Sequence, residues 1–167
     1  MVETRCLKVG KPSEFSTVEK ADFAALVLAG GEVTPEGLPD RIERAAFLIQ
    51  ITLNGCLAGV AAIKHPYNAY RKNAFQKSGT DLVDATFPFE FGWAFVMPSA
   101  RSTGLSKDLL KSALTEIGDK SIFATSRSDN TRMHKTLKKY EFQQAGEPYS
   151  SERGDYKLTL FVKSGAK

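Results

Sequence analysis

The chain has 167 residues and is 42% hydrophobic, enough for one domain with a sizeable core, residues 1–167. Its longest apolar stretches, Phe23 to Ala29 and Cys56 to Ile63, fall far short of the roughly 20 residues a membrane span needs. A formal charge of +4, with a sequence pI near 9.0, suits nucleic acid and a highly anionic cofactor equally, so charge alone excludes neither. Met1 to Cys6 carry no apolar segment behind a basic start, which predicts a cytoplasmic protein. Cys6 and Cys56 are not spaced as Cys-x-x-Cys and sit in apolar, strand-like runs. That context predicts buried, reduced thiols, and no metal ligand set is expected.

In chain order, Val2, Leu7 and Val9 precede Gly10-Lys11-Pro12 and predict a strand ended by a turn. A helix follows, capped by Ser16 or Thr17, with Glu19 in its first turn, Phe23, Leu26 and Val27 on one face, and Gly30-Gly31 at its end. A short second helix is expected from Pro35 toward Arg44. Phe47 to Leu53 and Cys56 to Lys64 are apolar runs joined by Asn54-Gly55, the dipeptide favoured in a two-residue type I′ turn, and predict a β-hairpin. Lys64 to Phe87 reads as a long connection with room for a short helix after Asn68. Its Tyr67, Tyr70, Arg71, Lys72, Phe75 and Lys77 read either as a solvated basic helix whose rings pack on a sheet or as a surface that stacks bases. Phe89 to Met97 is an aromatic and β-branched strand stopped by Pro98. Leu105, Leu109, Leu110, Ala113, Leu114 and Ile117 then fall at helical spacing, with Gly118 as cap. Ile122 to Thr125 forms a short strand, Ser128 or Asp129 caps a helix from Asn130 to Tyr140, and Tyr156 to Val162 closes the chain as a strand. Without an internal repeat, this order predicts the α+β class with a mixed sheet.

Between the aromatic strand and its helix lies Val96-Met97-Pro98-Ser99-Ala100-Arg101-Ser102-Thr103-Gly104-Leu105-Ser106. A loop that opens a helix offers unpaired N–H groups and the positive end of the helix dipole, a combination suited to a pyrophosphate. Gly104 and the small Ser106 allow close approach to the main chain, and Arg101 adds a permanent charge. This segment resembles motif A of the GNAT acyltransferase superfamily, Val-x-Pro-x-x-Arg/Gln-x-x-Gly-x-Gly/Ala. Val96, Pro98, Arg101 and Gly104 match, and Ser106 departs at the last position. A second element of the family is an Asn opening a helix with apolar residues at +3 and +7 and a Phe at +12. Asn130, Met133, Leu137 and Phe142 fill those places, so the resemblance covers Phe89 to Phe142.

The resemblance implies a GNAT-like fold: a central mixed, mostly antiparallel twisted sheet flanked by helices, with strands splayed at the acyl-CoA site. It implies acetyl-CoA as acyl donor, with Ala94, Phe95 and Val96 holding the pantetheine and polarising the thioester through their backbones. Arg101, Ser102, Thr103, Gly104, Leu105 and Ser106 would cradle the pyrophosphate, and Asn130 and Met133 complete the cofactor-binding set. The implied reaction is direct transfer of acetyl to a primary amine of a small molecule or peptide.

Such transfer needs a neutral amine, an oxyanion donor and a proton for the departing thiolate. Glu90, eleven residues before Arg101, matches the catalytic Glu of the histone-acetylating branch. Flanked by Phe89, Phe91 and Trp93, its carboxylate is expected to be partly desolvated, an environment that suits a general base. The alternative is a Glu on the solvated face of an edge strand. The Glu that the ribosomal-protein branch keeps five residues before the Asn is Thr125 here. Leu137 stands where many members carry a Tyr that protonates the thiolate, which leaves Tyr140 as candidate general acid, with ordinary packing as its alternative. His134 reads as a surface or phosphate-side residue, and water is a further proton source. Two other readings stay open: a basic nucleic-acid-binding α+β domain, and a GNAT-like domain that binds acyl-CoA without catalysis. No membrane partner is expected, nucleic acid is not the favoured one, and a homodimer is left open.

Overall fold

The computed structural model describes residues 2–165; Met1, part of the stretch read as the first strand, and residues 166–167 lie outside the described residues. The chain divides into two compact units, one running up to Lys64 and including Phe91–Glu116, the other comprising His65–Glu90 and the residues from Ile117 onward.

The first unit holds β1 (Arg5–Gly10), α1 (Thr17–Ala29), α2 (Leu38–Glu43), β2 (Phe47–Leu53), β3 (Cys56–Lys64), most of β4 (Phe89–Val96) and nearly all of α4 (Leu105–Ile117). Its strands lie in the order β1-β2-β3-β4. β1 and β2 pair antiparallel with Leu7 opposite Ile51, and β2 and β3 pair antiparallel with Ile49 opposite Ala61. The hairpin turn is the one its dipeptide demands, with Asn54 at φ 51° and Gly55 at φ 82°.

Ser16 Oγ accepts from the Glu19 N–H at 3.1 Å while Glu19 Oε1 accepts from the Ser16 N–H at 3.0 Å, a reciprocal cap that fixes the start of α1. The other oxygen of Glu19 accepts from Lys8 Nζ at 2.8 Å and Gln50 Nε2 at 3.2 Å, tying the helix start to β1 and β2. The Lys8 bond, joined by that of Ser16, pulls the Glu19 carboxyl down to about 2. Phe23, Leu38, Ile42, Leu48 and Val60 form the adjacent core, and burial of such side chains is worth roughly 1.5–3 kcal/mol each. α4 approaches β3 at Gly59, whose Cβ position lies 3.5 Å from Leu109 and 3.7 Å from Leu105.

The cysteines depart from expectation: both are free and exposed. Cys6 lies in β1, the outermost strand of the order, and Cys56 directly follows the hairpin turn, so apolar neighbours in sequence do not cover them.

The second unit holds α3 (Asn68–Ser78), the first two residues of β4, β5 (Ile122–Arg127), α5 (Thr131–Lys139), β6 (Gln143–Ser150) and β7 (Lys157–Lys163). Its strand order is β4-β5-β7-β6. β4 and β5 run parallel, with Phe89 opposite Ile122 and Glu90 opposite Phe123, and the ladder covers only these two pairs. β7 pairs antiparallel with both β5 and β6. The class is therefore α+β with a mixed, mostly antiparallel sheet, as expected. β6 is an addition: Gly146 and Pro148 interrupt any alternation in Gln-Gln-Ala-Gly-Glu-Pro-Tyr-Ser, and its register is irregular between Ala145 and Tyr149. α3 fills the middle of the long connection. α5 is capped by Asn130, not by Ser128 or Asp129, because Ser128 Oγ is engaged with Thr159 Oγ1 at 2.8 Å.

The core of the second unit gathers Phe75, Phe87, Phe123, Ala145, Leu160 and Val162. Beside it, Gly146, at φ 69°, brings β6 against the C-terminal turn of α3 so closely that a Cβ would stand 2.1 Å from the Ser78 carbonyl oxygen. Gly146→Ala is expected to lower stability by on the order of 3 kcal/mol, combining overpacking with left-handed backbone strain. Gly118→Ala, at φ 62° with nothing within 4 Å of its Cβ position, isolates the strain alone and costs about 1 kcal/mol. Urea midpoints of the two variants check the difference.

Candidate active site

The strand-to-helix corner of the first unit begins with a backbone irregularity. Trp93 sits inside β4 at φ 56°, a left-handed conformation that a bulky side chain adopts only when its surroundings hold it there. Phe23 meets its ring edge-on at 6.3 Å and Lys64 Nζ lies 4.9 Å from its centroid. The interruption falls immediately before Ala94, Phe95 and Val96, the three residues expected to hold pantetheine. Ala94 and Phe95 are half-buried and Val96 is buried.

Beyond Val96, the Met97 N–H donates to the Ala58 carbonyl at 2.8 Å, and a short 3-10 turn over Pro98–Ala100 leads into the loop. Ser102 at φ 68° and Gly104 at φ 84° give that loop two left-handed residues. Arg101 turns back, its Nε donating to the Val96 carbonyl at 3.2 Å and its guanidinium lying 5.6 Å from the Phe95 ring. Thr103 Oγ1 donates to the Ala100 carbonyl at 2.5 Å. Arg5, from β1, grips the loop from outside: Nη2 donates to the Thr103 carbonyl at 3.1 Å and Nη1 to Asp108 Oδ2 at 2.7 Å. Asp108 would repel an anion from the first turn of α4, and Arg5 neutralises it.

The first bond of α4 runs from the Asp108 N–H to the Gly104 carbonyl at 3.2 Å. Helix geometry therefore leaves the N–H groups of Gly104, Leu105, Ser106 and Lys107 without an acceptor one turn back, at the end of the helix that carries about half a positive charge. Leu105 buries its side chain and can contribute only backbone. A Cβ on Gly104 would meet nothing within 4 Å, so this side of the loop is open. These groups fit a pyrophosphate.

Glu90 belongs to the second unit. It is 3% exposed, and the Tyr70 hydroxyl, from α3, donates to its Oε2 at 2.8 Å. The solvated-edge alternative is thereby excluded. Tyr70 keeps 42% of its surface in solvent, but its hydroxyl is the sunken end, with the Thr125 hydroxyl in hydrogen-bonding reach. Burial, and after it the charge of Glu90, holds the Tyr70 phenol well above its ordinary range. The same two causes push Tyr149, on β6, up to about 12. Two elements besides β4 thus bear on the carboxylate, α3 with Tyr70 and β6 with Tyr149, while Thr125, on β5, meets the Tyr70 hydroxyl.

Asn130 and Met133, expected to bind cofactor, are joined in a helix cap: Asn130 Oδ1 accepts from the Met133 N–H at 3.2 Å. Tyr140 is the C-cap residue of α5, its N–H bonded to the Leu137 carbonyl at 3.1 Å, and it is not one of the residues that converge on Glu90. His134, read as a surface or phosphate-side residue, is half-buried: its Nε2 lies 2.9 Å from the Arg127 carbonyl and its ring 4.8 Å from that of Phe161. In the long connection Phe75 packs in the core while the Tyr67 ring is exposed, and two cations are paired, Arg71 Nε with Asp84 Oδ2 at 3.1 Å and Lys77 Nζ with Glu152 Oε1 at 2.7 Å. Sequence reasoning missed Arg5 and Tyr149, read Tyr70 only as a ring that packs on a sheet or stacks a base, and Thr125 only as a lost base. No local pattern marks any of the four, since each acts across a long stretch of chain.

No known family profile matches the sequence, and no curated protein does. Solved structures do. The chain is similar to an acyl-CoA N-acyltransferase from Pseudomonas aeruginosa, with TM-score 0.69 and 12% identity over 96% of this chain and 100% of that one. It is similar to an acetyltransferase of the GNAT family from Streptococcus pneumoniae, with TM-score 0.65 and 14% identity over 98% and 100%. It also resembles yncA from Salmonella typhimurium, solved with its cofactor acetyl-CoA, with TM-score 0.62 and 13% identity over 96% and 93%. The fold is the GNAT acyltransferase fold that motif A and the Asn130 helix implied.

The raised phenols have a measurable signature. In an alkaline titration followed by tyrosinate absorbance, Tyr149 should ionise near 12 and Tyr70 only as the protein unfolds. Tyr149's folded value lies above its ordinary 10.0, so its protonated form contributes stability that is whole below pH 10 and is lost as pH rises toward 12. Glu90→Gln removes one cause of the rise and should bring the Tyr149 transition down, though not to 10, because burial remains.

Proposed function

We propose that this chain, built on the GNAT fold, is an acyl-CoA-dependent N-acyltransferase that moves acetyl from acetyl-CoA to a primary amine of a small molecule or peptide. The observation that carries the reading is the loop from Arg101 to Ser106. It carries Arg101 and Gly104 of motif A with Ser106 in place of the last Gly or Ala, opens α4 with N–H groups that helix geometry leaves without an intrahelical acceptor, and leaves Gly104 facing open space.

In this reading the N–H groups from Ser102 to Ser106 receive the pyrophosphate, and Arg101 steadies the loop through Val96 while lending its charge. The backbone of Ala94, Phe95 and Val96 pairs with pantetheine and polarises the thioester carbonyl. Asn130 and Met133 support the same cofactor as the cap of α5. The amine nitrogen attacks the carbonyl carbon, a C–N bond forms, the C–S bond breaks, and Glu90 takes the proton lost by the amine. The sulfur takes a proton from solvent, because the place of the usual phenol is filled by Leu137, fully buried at 0% exposure. Tyr140 is the alternative acid, and Tyr140→Phe separates the two. The same Leu137 favours the second reading, an acyl-CoA-binding domain without turnover. Among the described residues no helix is long and apolar enough to cross a membrane, and a cytoplasmic location belongs to the same proposal.

Acetyl-CoA should raise the melting temperature, a ligand at a hundred times its Kd adding about 2.7 kcal/mol of stability. Desulfo-coenzyme A should act nearly as well, because the anchor is the pyrophosphate. Gly104→Val should abolish the shift, because its Cβ meets no protein atom but enters phosphate space and φ 84° strains a β-branched residue in the loop; Arg101→Ala should weaken it less. No shift in the parent protein at millimolar ligand would sink the assignment. A shift without acetylation of any amine across polyamines, amino acids, aminoglycosides and peptides would favour the second reading.

A further inference from the structure

A carboxylate serves as an efficient base only when its oxygens are held in one orientation, and a Glu side chain has three rotatable bonds with which to lose it. In the second unit the holding contact is the 2.8 Å bond from the Tyr70 hydroxyl to Glu90 Oε2. Tyr70 is itself fixed. Its hydroxyl meets that of Thr125, and the next residue, Arg71, ties α3 to Asp84 through an ion pair whose side chains are 11% and 24% exposed. One turn on, Phe75 packs against Phe87 at 5.5 Å and edge-on against Phe123 at 5.4 Å. At the end of the helix Ser78 abuts Gly146. A helix anchored at this many points places the phenol with the precision of the core, not of a surface loop.

We propose that Tyr70 is a positioning residue for acyl transfer, its hydroxyl fixing the Glu90 carboxylate in the orientation in which it takes the amine proton. This rests on the function proposed above, since it requires Glu90 to be the base. The raised Tyr70 phenol agrees with it, because the group stays a donor across the neutral range.

The test is steady-state acetylation of the amine panel from acetyl-CoA by the parent protein, Tyr70→Phe, Glu90→Gln and the double variant. Tyr70→Phe should lower kcat by roughly 10- to 100-fold while KM for acetyl-CoA changes by less than about twofold. The double variant should be no slower than Glu90→Gln alone, as expected for residues acting as one unit. An unchanged kcat in Tyr70→Phe beside a slow Glu90→Gln would overturn the positioning role and leave the base in place. Losses that multiply in the double variant would also overturn it. If Glu90→Gln matches an active parent, Glu90 is not the base and this proposal falls while the acyltransferase reading stands; if the parent acetylates nothing, the function proposed above fails and this proposal with it. Should Tyr70→Phe not fold, Thr125→Val loosens the same phenol from its other contact, and a several-fold fall in kcat at constant KM is expected; no fall is a negative result.

Discussion

A carboxylate withdrawn from water must be given hydrogen bonds or it destabilises the fold that buries it. Glu90, 3% exposed, imposes that requirement on the second unit, and the arrangement of the unit is the answer to it. α3 brings a phenol that donates to it, β5 a hydroxyl that meets that phenol, and β6 a second phenol close enough to feel its charge. The aromatic core of Phe75, Phe87 and Phe123 then sets where α3 lies, so the donor reaches the acceptor without a loop having to find it. Gly146 belongs to the same solution, since a side chain there would hold β6 away from α3.

The first unit works through the main chain. Trp93 and the two left-handed residues of the Arg101 to Ser106 loop set the direction of backbone N–H groups, and the side chains nearby serve mainly to hold that backbone still. Arg101 bonds to Val96, Thr103 to Ala100, and Arg5 to both Thr103 and Asp108. Surface ion pairs such as that of Arg5 with Asp108 contribute little to stability. Its consequence here is electrostatic: a negative charge in the first turn of α4 is balanced where an anion would approach.

The parts of the fold legible in the sequence are those fixed by neighbours along the chain. Asn54-Gly55 specifies its turn by the backbone angles it permits, Ser16-x-x-Glu19 specifies a helix start by two reciprocal bonds, and the Pro98 to Gly104 corner shows its spacing openly. What was not legible depends on meetings across long distances. Arg5 reaches a carbonyl 98 positions away, and Tyr149 comes to Glu90 on a strand whose register is set by its partner, Ala145 lying opposite Leu160. The cysteines failed for a related reason, because apolar flanks predict burial only in a strand covered on both faces. For Glu90 the sequence offered two environments, and only the sheet pairing and the Tyr70 contact decide between them.

The exposure of Cys6 and Cys56 has a consequence for handling the protein. Both thiols lie in the first unit, on the outermost strand and beside a hairpin tip, where a second molecule can approach. In an aerated solution such thiols link copies covalently, and with two on each chain the linkage can continue past a pair into longer species. Apparent size in solution therefore reports the redox state of the buffer as well as any native association, and the two separate only under reducing conditions. The same thiols are natural attachment points for a spectroscopic label on the unit that carries the Arg101 to Ser106 loop.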